Sequence, residues 1–386
     1  MRNGISLFIC IVLFSPYLSS ANTYYVAPSG LAQGDGTEEK PWSVDVALSK
    51  GGGNTYIFLP GNYHGPLVLG KYHAGTATTP TVLKSKTKWR AQITGMNADN
   101  LIRITSDSPY VFINGFEIWG AGYSGILSKS DHTTIMNCWI HNNGTMGIRI
   151  DKKKNIVIEN NLIEYNGMHP HFHHGIYVDG QDHVIRGNIV RHNSGFGMHL
   201  YPNIQKSVIE NNLIYGHPNH AGIILTTTEK GEGLKVVNNT LAYNKVGVEV
   251  WGSTGTLIQN NIFAGNQKVF SFSKVKDPQI DHNLYEQESE VRGPHDIVGN
   301  PQFLNVVRGI YWLGEKSAAR GRANPEGAPE KDLWGNPRPK DNPPDMGAYQ
   351  FIPLRDSDKI LNRWQYGSRF NTPESGEIPD LWQAPQ

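Results

Sequence analysis

A four-residue pattern that recurs through the middle of the chain constrains the fold most strongly. Each copy reads glycine, apolar, variable, apolar, except that Ser128 ends the first copy. Successive copies start 22, 28, 22, 25 and 25 residues apart, at Gly125, Gly147, Gly175, Gly197, Gly222 and Gly247. About ten residues after most of these glycines a second apolar strand follows, such as IVIENNLI from Ile156. One such unit cannot bury its apolar face alone, so the units must stack on one another.

Short strands repeated at this spacing predict an all-β protein built as a parallel β-helix, in which each unit forms one coil. A leucine-rich repeat has a comparable length, but its leucine spacing is absent, and a propeller blade would need roughly 40 residues or more. The 42 glycines agree with many tight turns. We expect one elongated domain with an N-terminal β segment and cap over 22–100, coils over 101–305 and an irregular closing segment over 306–386.

Asparagine pairs follow the second strand of several units, at Asn160-Asn161, Asn211-Asn212 and Asn260-Asn261. Asparagine tolerates left-handed backbone geometry and bonds to its own chain, so it suits the corner of a coil. Stacked coil on coil, the amides would form a ladder. We interpret these pairs as structural rather than catalytic.

The first residues are typical of a secretory signal. A charged start with Arg2 is followed by an apolar run over 5–18 and by the small residues Ser19-Ser20-Ala21, which suit cleavage after residue 21. The run is shorter than the roughly 20 residues that span a membrane, and no later stretch is apolar enough to do so. We therefore expect a secreted or periplasmic protein without a membrane span.

Charge and cysteine content narrow the function classes. Without residues 1–21 the chain loses Arg2 and Cys10, which leaves 34 basic against 34 acidic residues and a single cysteine, Cys138. A balanced charge lacks the basic footprint of a nucleic-acid-binding protein. An exported domain without a disulfide must draw its stability from its core. We expect a monomer with no nucleic-acid partner.

The variable residue of each four-residue pattern carries the functional information. Alternation along a strand points its apolar neighbours inward and this residue outward. In coil order the variable residues are Leu127, Arg149, Tyr177, His199, Ile224 and Glu249. Stacked strands lie about 4.8 Å apart, so the middle members should form a short polar column. Arginine, tyrosine and histidine on successive coils indicate chemistry rather than an ordinary solvated surface.

Other polar residues are expected around this column because they lie at strand entries and exits. His173 and His174 directly precede Gly175, and His220 lies two residues before Gly222. Trp251 follows a strand and offers a platform for a sugar ring. We predict as catalytic residues Arg149, His174, Tyr177 and His199. We predict as substrate-binding residues Lys152, His171, His173, Asp179, Tyr201, His220, Glu249 and Trp251.

The stretch HPHFHH over 169–174 concentrates histidines just before a strand. In an extended strand His169, His171 and His173 would share a face, and neutral imidazoles with a nearby aspartate suit zinc. The same residues would otherwise contact substrate or form a plain polar loop. We therefore assign no metal ligand and leave a divalent cation, calcium or zinc, open as a cofactor.

The chain resembles the secreted right-handed parallel β-helix proteins that act on polysaccharides. The resemblance rests on the opening segment Thr23–Gly65, on the GIxV…VIENN coils, and on NPQFLN (300–305) with PDMGAYQF (344–351). It implies a right-handed, single-stranded parallel β-helix closed by capping segments. It also implies activity as a polysaccharide lyase, a mannuronan C5-epimerase or a glycoside hydrolase.

The residues of the column fit β-elimination on a uronate polymer. That reaction removes a proton α to a carboxylate, whose charge must first be neutralised, and Arg149 would pair with it. A neutral histidine or a tyrosine would take the proton, and a tyrosine or histidine would protonate the leaving oxygen. We therefore expect a polysaccharide lyase acting on an acidic, uronate-containing polysaccharide.

Three other functions stay open at this point. Hydrolysis needs two carboxyl groups about 5–9.5 Å apart, and Asp151 and Asp179 occupy equivalent places on adjacent coils, whereas Glu249 lies too far along the column. A C5-epimerase would use the same surface, although the Asp-Pro-His-Asp run of those enzymes is absent. The last alternative is a non-catalytic carbohydrate-binding surface protein.

Overall fold

The computed structural model describes residues 22–96 and 98–353, with the side chains of 228–230 left undescribed. The expected signal segment over 1–21 and residues 354–386 of the expected closing segment lie outside the described residues.

Three parallel sheets run along the molecule, and each coil contributes one short strand to each of them. Sheet I consists of β4 (Leu67–Leu69), β7 (Asn100–Ile104), β10 (Ser124–Ser128), β13 (Met146–Lys154), β16 (Ile176–Gln181), β19 (Met198–Leu200), β22 (Ala221–Gly231), β25 (Val246–Ser253) and β28 (Lys268–Ser273).

Sheet II follows sheet I within each coil. It consists of β1 (Thr23–Val26), β2 (Thr55–Phe58), β5 (Thr81–Ser85), β8 (Val111–Asn114), β11 (Thr134–Met136), β14 (Val157–Glu159), β17 (Val184–Arg186), β20 (Val208–Glu210), β23 (Lys235–Val237), β26 (Leu257–Gln259) and β29 (Gln279–Asp281).

Sheet III completes each coil. It consists of β3 (Gly61–His64), β6 (Ala91–Thr94), β9 (Glu117–Trp119), β12 (Trp139–His141), β15 (Leu162–Glu164), β18 (Ile189–Arg191), β21 (Leu213–Tyr215), β24 (Thr240–Ala242), β27 (Ile262–Ala264), β30 (Leu284–Tyr285) and β31 (Ile297–Val298). The prediction of an all-β parallel β-helix is confirmed.

Few elements stand outside the three sheets. A short helix, α1 (Val44–Leu48), packs Ala47 and Leu48 against the first coils. Two 3-10 turns cover Lys71–His73 and Val306–Arg308, and an antiparallel pair joins β32 (Phe303–Asn305) to β33 (Ile310–Leu313).

Parallel pairing begins at β1, well before the boundary at residue 101 that the sequence pattern indicates. The first coils keep the alternation without the glycine pattern: in β4, Leu67 and Leu69 are buried while Val68 between them is exposed. Alternation alone directs the apolar residues inward, so these coils share the same core.

The core is a stack of aliphatic side chains that face the axis of the coils. Ile148 and Ile150 flank Arg149 and are fully buried, and Ile176 and Val178 flank Tyr177 in the same way. Burying one such side chain stabilises the fold by roughly 1.5–3 kcal/mol. The inward pair of each strand therefore fixes which residue faces outward.

An amide ladder runs along the corner between sheets II and III, as the asparagine pairs predict. The first residue of each pair takes the left-handed conformation, with φ of 55° at Asn160 and 53° at Asn211. The second is buried: the backbone N–H and the Nδ2 of Asn161 both donate to Oδ1 of Asn188, at 3.0 Å each. The inner row, as we call this ladder, consists of Asn161, Asn188, Asn212, Asn239, Asn261 and Asn283.

A second ladder follows sheet III and explains the repeated glycines. It consists of Asn143, Asn166, Asn193, His217, Asn244 and Asn266. A Cβ atom on Gly175 would lie 2.7 Å from Nδ2 of Asn193 and 2.7 Å from the carbonyl oxygen of Gly197. The glycine therefore leaves space for the ladder amide of the next coil.

The closing segment covers the outer face of sheet III. Tyr311 and Leu333 pack with Leu213 and Ile262 in a second apolar cluster. The buried Arg338 donates from Nη2 to Oδ1 of Asn211 at 2.8 Å, which ties the segment to a coil corner. This covering leaves the outer side of sheet I as the face that carries the polar column.

Candidate active site

The variable residues of the glycine pattern are direct partners across sheet I. Leu127 pairs with Arg149, Arg149 with Tyr177 and Tyr177 with His199, each as parallel partners. His199 then pairs with Ile224. Leu127 and Ile224 are buried, so an apolar residue bounds the polar column at each end. The adjacency that the repeat spacing predicts is therefore present.

Arg149 is anchored at one edge of its guanidinium. Its Nε donates to Oδ1 of Asp151 at 2.8 Å, and its Nη1 donates to the hydroxyl of Tyr123 at 2.7 Å. Its Cζ lies 5.7 Å from the ring centroids of both Tyr123 and Tyr177. A guanidinium has five N–H donors, so three remain outside these two bonds for an anionic ligand.

Tyr177 lies between the cation and the imidazoles. Its ring meets His199 edge to face, with centroids 5.4 Å apart, and stacks near His174 at 6.4 Å. Burial, reinforced by the neighbouring Asp179 carboxylate, raises the pKa of Tyr177 to about 12. The phenol is therefore neutral at physiological pH and keeps its O–H as a hydrogen-bond donor.

A hydrogen-bonded chain fixes the protonation of the two buried imidazoles. The backbone N–H of Phe196 donates to Nδ1 of His174 at 3.2 Å, so the His174 proton is assigned to Nε2. That nitrogen lies 3.0 Å from Nδ1 of His199 and donates to it. Neutral His199 then carries its own proton on Nε2, the nitrogen away from His174.

Both imidazoles stay neutral through the physiological range. Burial, together with the nearby His199, lowers the pKa of His174 to about 2. Burial and the nearby His220 lower the pKa of His199 to about 4. The pair therefore presents one N–H donor and no formal charge.

The 169–174 segment forms a turn rather than an extended strand. Nδ1 of His173 accepts from the backbone N–H groups of Met168 and His169, at 3.1 and 2.9 Å. Alternate residues of a turn do not share a face, so the strand argument for a zinc site does not apply here. His171 is exposed and its ring centroid lies 5.4 Å from that of His220.

His220 joins this turn to the column through Phe196. The Phe196 ring centroid lies 4.8 Å from His220 and 5.0 Å from His199. The predicted residues His171, His174 and His220 thus surround the His199 end of the column.

The strand exits hold three further predicted residues. Tyr201 is 40% exposed, and its ring centroid lies 5.2 Å from that of His199. Asp179 is buried, which raises the pKa of its carboxyl group. Lys152 is exposed, with φ of 47°, at an irregularity where the β13–β16 pairing shifts register.

Glu249 and Trp251 lie apart from the imidazoles. Two pairing steps separate Glu249 from His199, or about 10 Å at the usual strand spacing. Nε1 of Trp251 donates to Oε1 of Glu249 at 2.7 Å, and the indole is 47% exposed. These two residues therefore lie outside the group of imidazoles that surrounds His199.

The sequence predictions omitted Tyr123 and Phe196. Phe196 directly precedes Gly197, just as His174 directly precedes Gly175, and Tyr123 lies two residues before Gly125. The offset that identified the histidines would therefore have found both aromatic residues if it had been applied to every coil.

The chain belongs to the right-handed β-helix family. The family model described as "Right handed beta helix region" matches residues 90–241 and 174–293, which together span more than half of the 386 residues. This result agrees with the three sheets and confirms the handedness that the resemblance implies.

Several proteins named for action on polysaccharides are similar to this chain. Pectate lyase L of Thermoclostridium stercorarium is 26% identical over 131 residues, which are 33% of this chain and 11% of that protein. The chain thus matches about a tenth of the length of that relative.

Solved structures share the fold at low sequence identity. The pectate lyase Pel9A aligns with a TM-score of 0.61 at 16% identity, over 86% of this chain and 97% of that one. A glycoside hydrolase aligns with a TM-score of 0.54 at 10% identity, over 77% and 99%. Within 22–96 and 98–353 no helix has the length and hydropathy of a membrane span.

Proposed function

We propose that this protein is a secreted polysaccharide lyase that cleaves a uronate-containing polysaccharide by β-elimination on the outer side of sheet I. The observation that carries the proposal is the hydrogen-bonded His174–His199 pair set against Tyr177 and Arg149 in one column. Relatives named as pectate lyases, and the signal-like start of the sequence, support the same function and location.

Three residues of the column have distinct roles in this reaction. The free N–H donors of Arg149 bind the uronate carboxylate and offset its charge. Nε2–H of His199 donates to the oxygen on which charge develops as the α proton leaves. Tyr177, a neutral phenol, protonates the leaving glycosidic oxygen.

The tautomer of His199 argues against its acting as the base. To accept a proton at Nε2, His199 would first need its proton on Nδ1, facing Nε2 of His174. His174 would then carry its proton on Nδ1, opposite the N–H of Phe196. The base must then be another group, and His171 of the neighbouring turn is our candidate because it is exposed and its ring centroid lies 5.4 Å from that of His220, at the His199 end of the column.

A glycoside hydrolase is the second candidate because of Asp179. Burial raises the pKa of this carboxyl group, and the nearby Asp151 carboxylate raises it further. A carboxyl group with a raised pKa beside a second carboxyl group is the arrangement that glycoside hydrolysis uses.

The deciding experiment incubates the purified full chain with a panel of acidic polysaccharides. Lyase action creates an unsaturated sugar that absorbs in the far ultraviolet, and we expect this signal to be lost in His199→Ala but kept in His64→Ala, which replaces an exposed histidine outside the column. Reducing ends without the absorbance would support the hydrolase. Altered sugar composition without cleavage would support an epimerase, and binding without turnover would support a carbohydrate-binding protein.

A further inference from the structure

The last coil carries a second group of histidines that the proposed reaction does not use. Asp281 is the last residue of β29 in sheet II, His282 follows it directly, and His295 lies in the excursion between β30 and β31. Four pairing steps along sheet II separate β29 from β17, which belongs to the coil of Tyr177. At the usual strand spacing this is about 19 Å from the column, so the group forms a separate feature.

The donor atoms of these three residues converge on one point. Nδ1 of His295 lies 3.0 Å from each carboxylate oxygen of Asp281, and Nδ1 of His282 lies 2.9 Å from Oδ2. One ligand atom from each residue can be chosen so that all lie within 4.8 Å of one another. Such spacing suits three ligands of a single small cation.

His282 faces the same carboxylate as His295. Its Nδ1 is buried and lies 2.9 Å from Oδ2 of Asp281. Two imidazole nitrogens from different parts of the chain therefore approach one carboxylate, which is the grouping that the ligands of a single cation require.

The repeat itself shows that the fold does not require a histidine at this place. In the preceding coils the equivalent corner residues are Asn238 and Asn260, which take the left-handed conformation as His282 does. Asparagine adopts that conformation readily, so His282 departs from the pattern without a backbone reason.

The surrounding bonds hold His295 in position. Asp296 accepts from the backbone N–H of Asn283 at 2.7 Å, from the hydroxyl of Tyr285 at 2.6 Å and from the backbone N–H of Gly293 at 2.7 Å. The backbone N–H of His295 also donates to Oδ1 of Asp281 at 3.0 Å. The ligand group is therefore preorganised by the end of the inner row.

We propose that Asp281, His282 and His295 bind a divalent cation of the zinc type. Two imidazoles and one carboxylate match zinc, whereas calcium takes six to eight oxygen ligands. The His295 side chain is 63% exposed, which leaves an entry path and room for water as a further ligand. The ion links the corner after β29 to the segment between β30 and β31.

The first test is titration of the chelator-treated full chain with Zn²⁺ by calorimetry. We expect one equivalent to bind, and Co²⁺ to give visible absorption typical of nitrogen and oxygen ligands. His295→Ala should weaken Zn²⁺ binding by more than about tenfold. The matched control is His169→Ala, an exposed histidine of the 169–174 turn, which should bind as the unchanged chain does.

A second measurement separates metal binding from the hydrogen bond that His295 makes to Asp281. Zn²⁺ should raise the thermal midpoint of the unchanged chain but not that of His295→Asn, which keeps a donor near Asp281 and lacks the imidazole. Absence of stoichiometric uptake would overturn the proposal. Uptake that persists in His295→Ala, or that is lost in His169→Ala, would assign the ion elsewhere and overturn it equally.

Discussion

The inner row and the polar column are built by the same rule but differ in chemistry. Each takes one residue per coil and stacks it at the strand spacing. The inner row repeats asparagine from coil to coil, whereas the column changes from Arg149 to Tyr177 to His199. Within one solenoid, the buried row is therefore uniform and the outward-facing column is varied.

Burial explains why the two rows differ. The Asn212 amide is fully buried, and its hydrogen-bond partners are atoms of the two adjacent coils. Those atoms would lose their partner if the residue were not an amide. A residue of the column faces outward and bonds to side chains around it, as Arg149 does to Asp151 and His199 does to His174. Selection can therefore change the column without disturbing the core.

The largest effect is expected from His199→Ala, which should reduce turnover of the acidic polysaccharide by about 10²–10⁴-fold. The variant removes the Nε2–H donor from the column. It also removes the acceptor of the His174 N–H, so circular dichroism must show that the fold is kept. Turnover within a few fold of the unchanged chain would contradict the role assigned to the column.

The corresponding change in the inner row is Asn212→Ala, which should lower the free energy of unfolding by on the order of 3 kcal/mol. It removes the donor to the carbonyl of Ile185 and leaves the Asn188 amide without its acceptor, all in a dry environment. Urea denaturation measures the loss. Asn62→Ala, at an exposed position, is the control, and equal effects of the two would refute the contrast.

The sequence predicts the repeated features of this molecule well and the contacts made by its irregular segments poorly. The glycine pattern and the asparagine pairs predict register and corners, because periodicity dictates which side chains stack. The bond between His174 and His199 depends on the turn that precedes Gly175, and residue spacing does not reveal its shape. The contact between His295 and Asp281 could not be predicted for a similar reason, because the segment that carries His295 does not follow the repeat of the coils.

A smaller effect is expected from His217→Asn, which restores an amide to the second ladder. Burial lowers the pKa of His217 to about 4, so the unfolded chain binds its proton at a higher pH than the native chain does. Stability is therefore lost as pH falls from about 6.5 towards 4, by on the order of 2 kcal/mol at pH 5 for this group. The variant should unfold less readily in acid and similarly at pH 8, as measured by denaturation across pH. An unchanged acid dependence would show that other groups control it.

The smallest effect is expected from Trp251→Ala. The exposed indole lies beside Glu249, away from the imidazoles, so its loss should raise KM a few fold, or about 1 kcal/mol, and leave kcat unchanged. Steady-state kinetics on long and short oligosaccharides distinguish the two parameters. A fall in kcat would mean that Trp251 belongs with the reacting sugar.

The hydrogen bonds of the inner row all point in one direction along the solenoid. The backbone N–H of Cys138 donates to Oδ1 of Asn161, and each asparagine then donates to the asparagine of the next coil. The last bond is the one from Nδ2 of Asn283 to Oδ1 of Asp296. A carboxylate only accepts, and the other oxygen of Asp296 is already occupied by Tyr285. A second molecule arriving end to end would find no donor there with which to continue the series. The series of amide hydrogen bonds therefore ends at Asp296, and a molecule stacked on this end could not extend it.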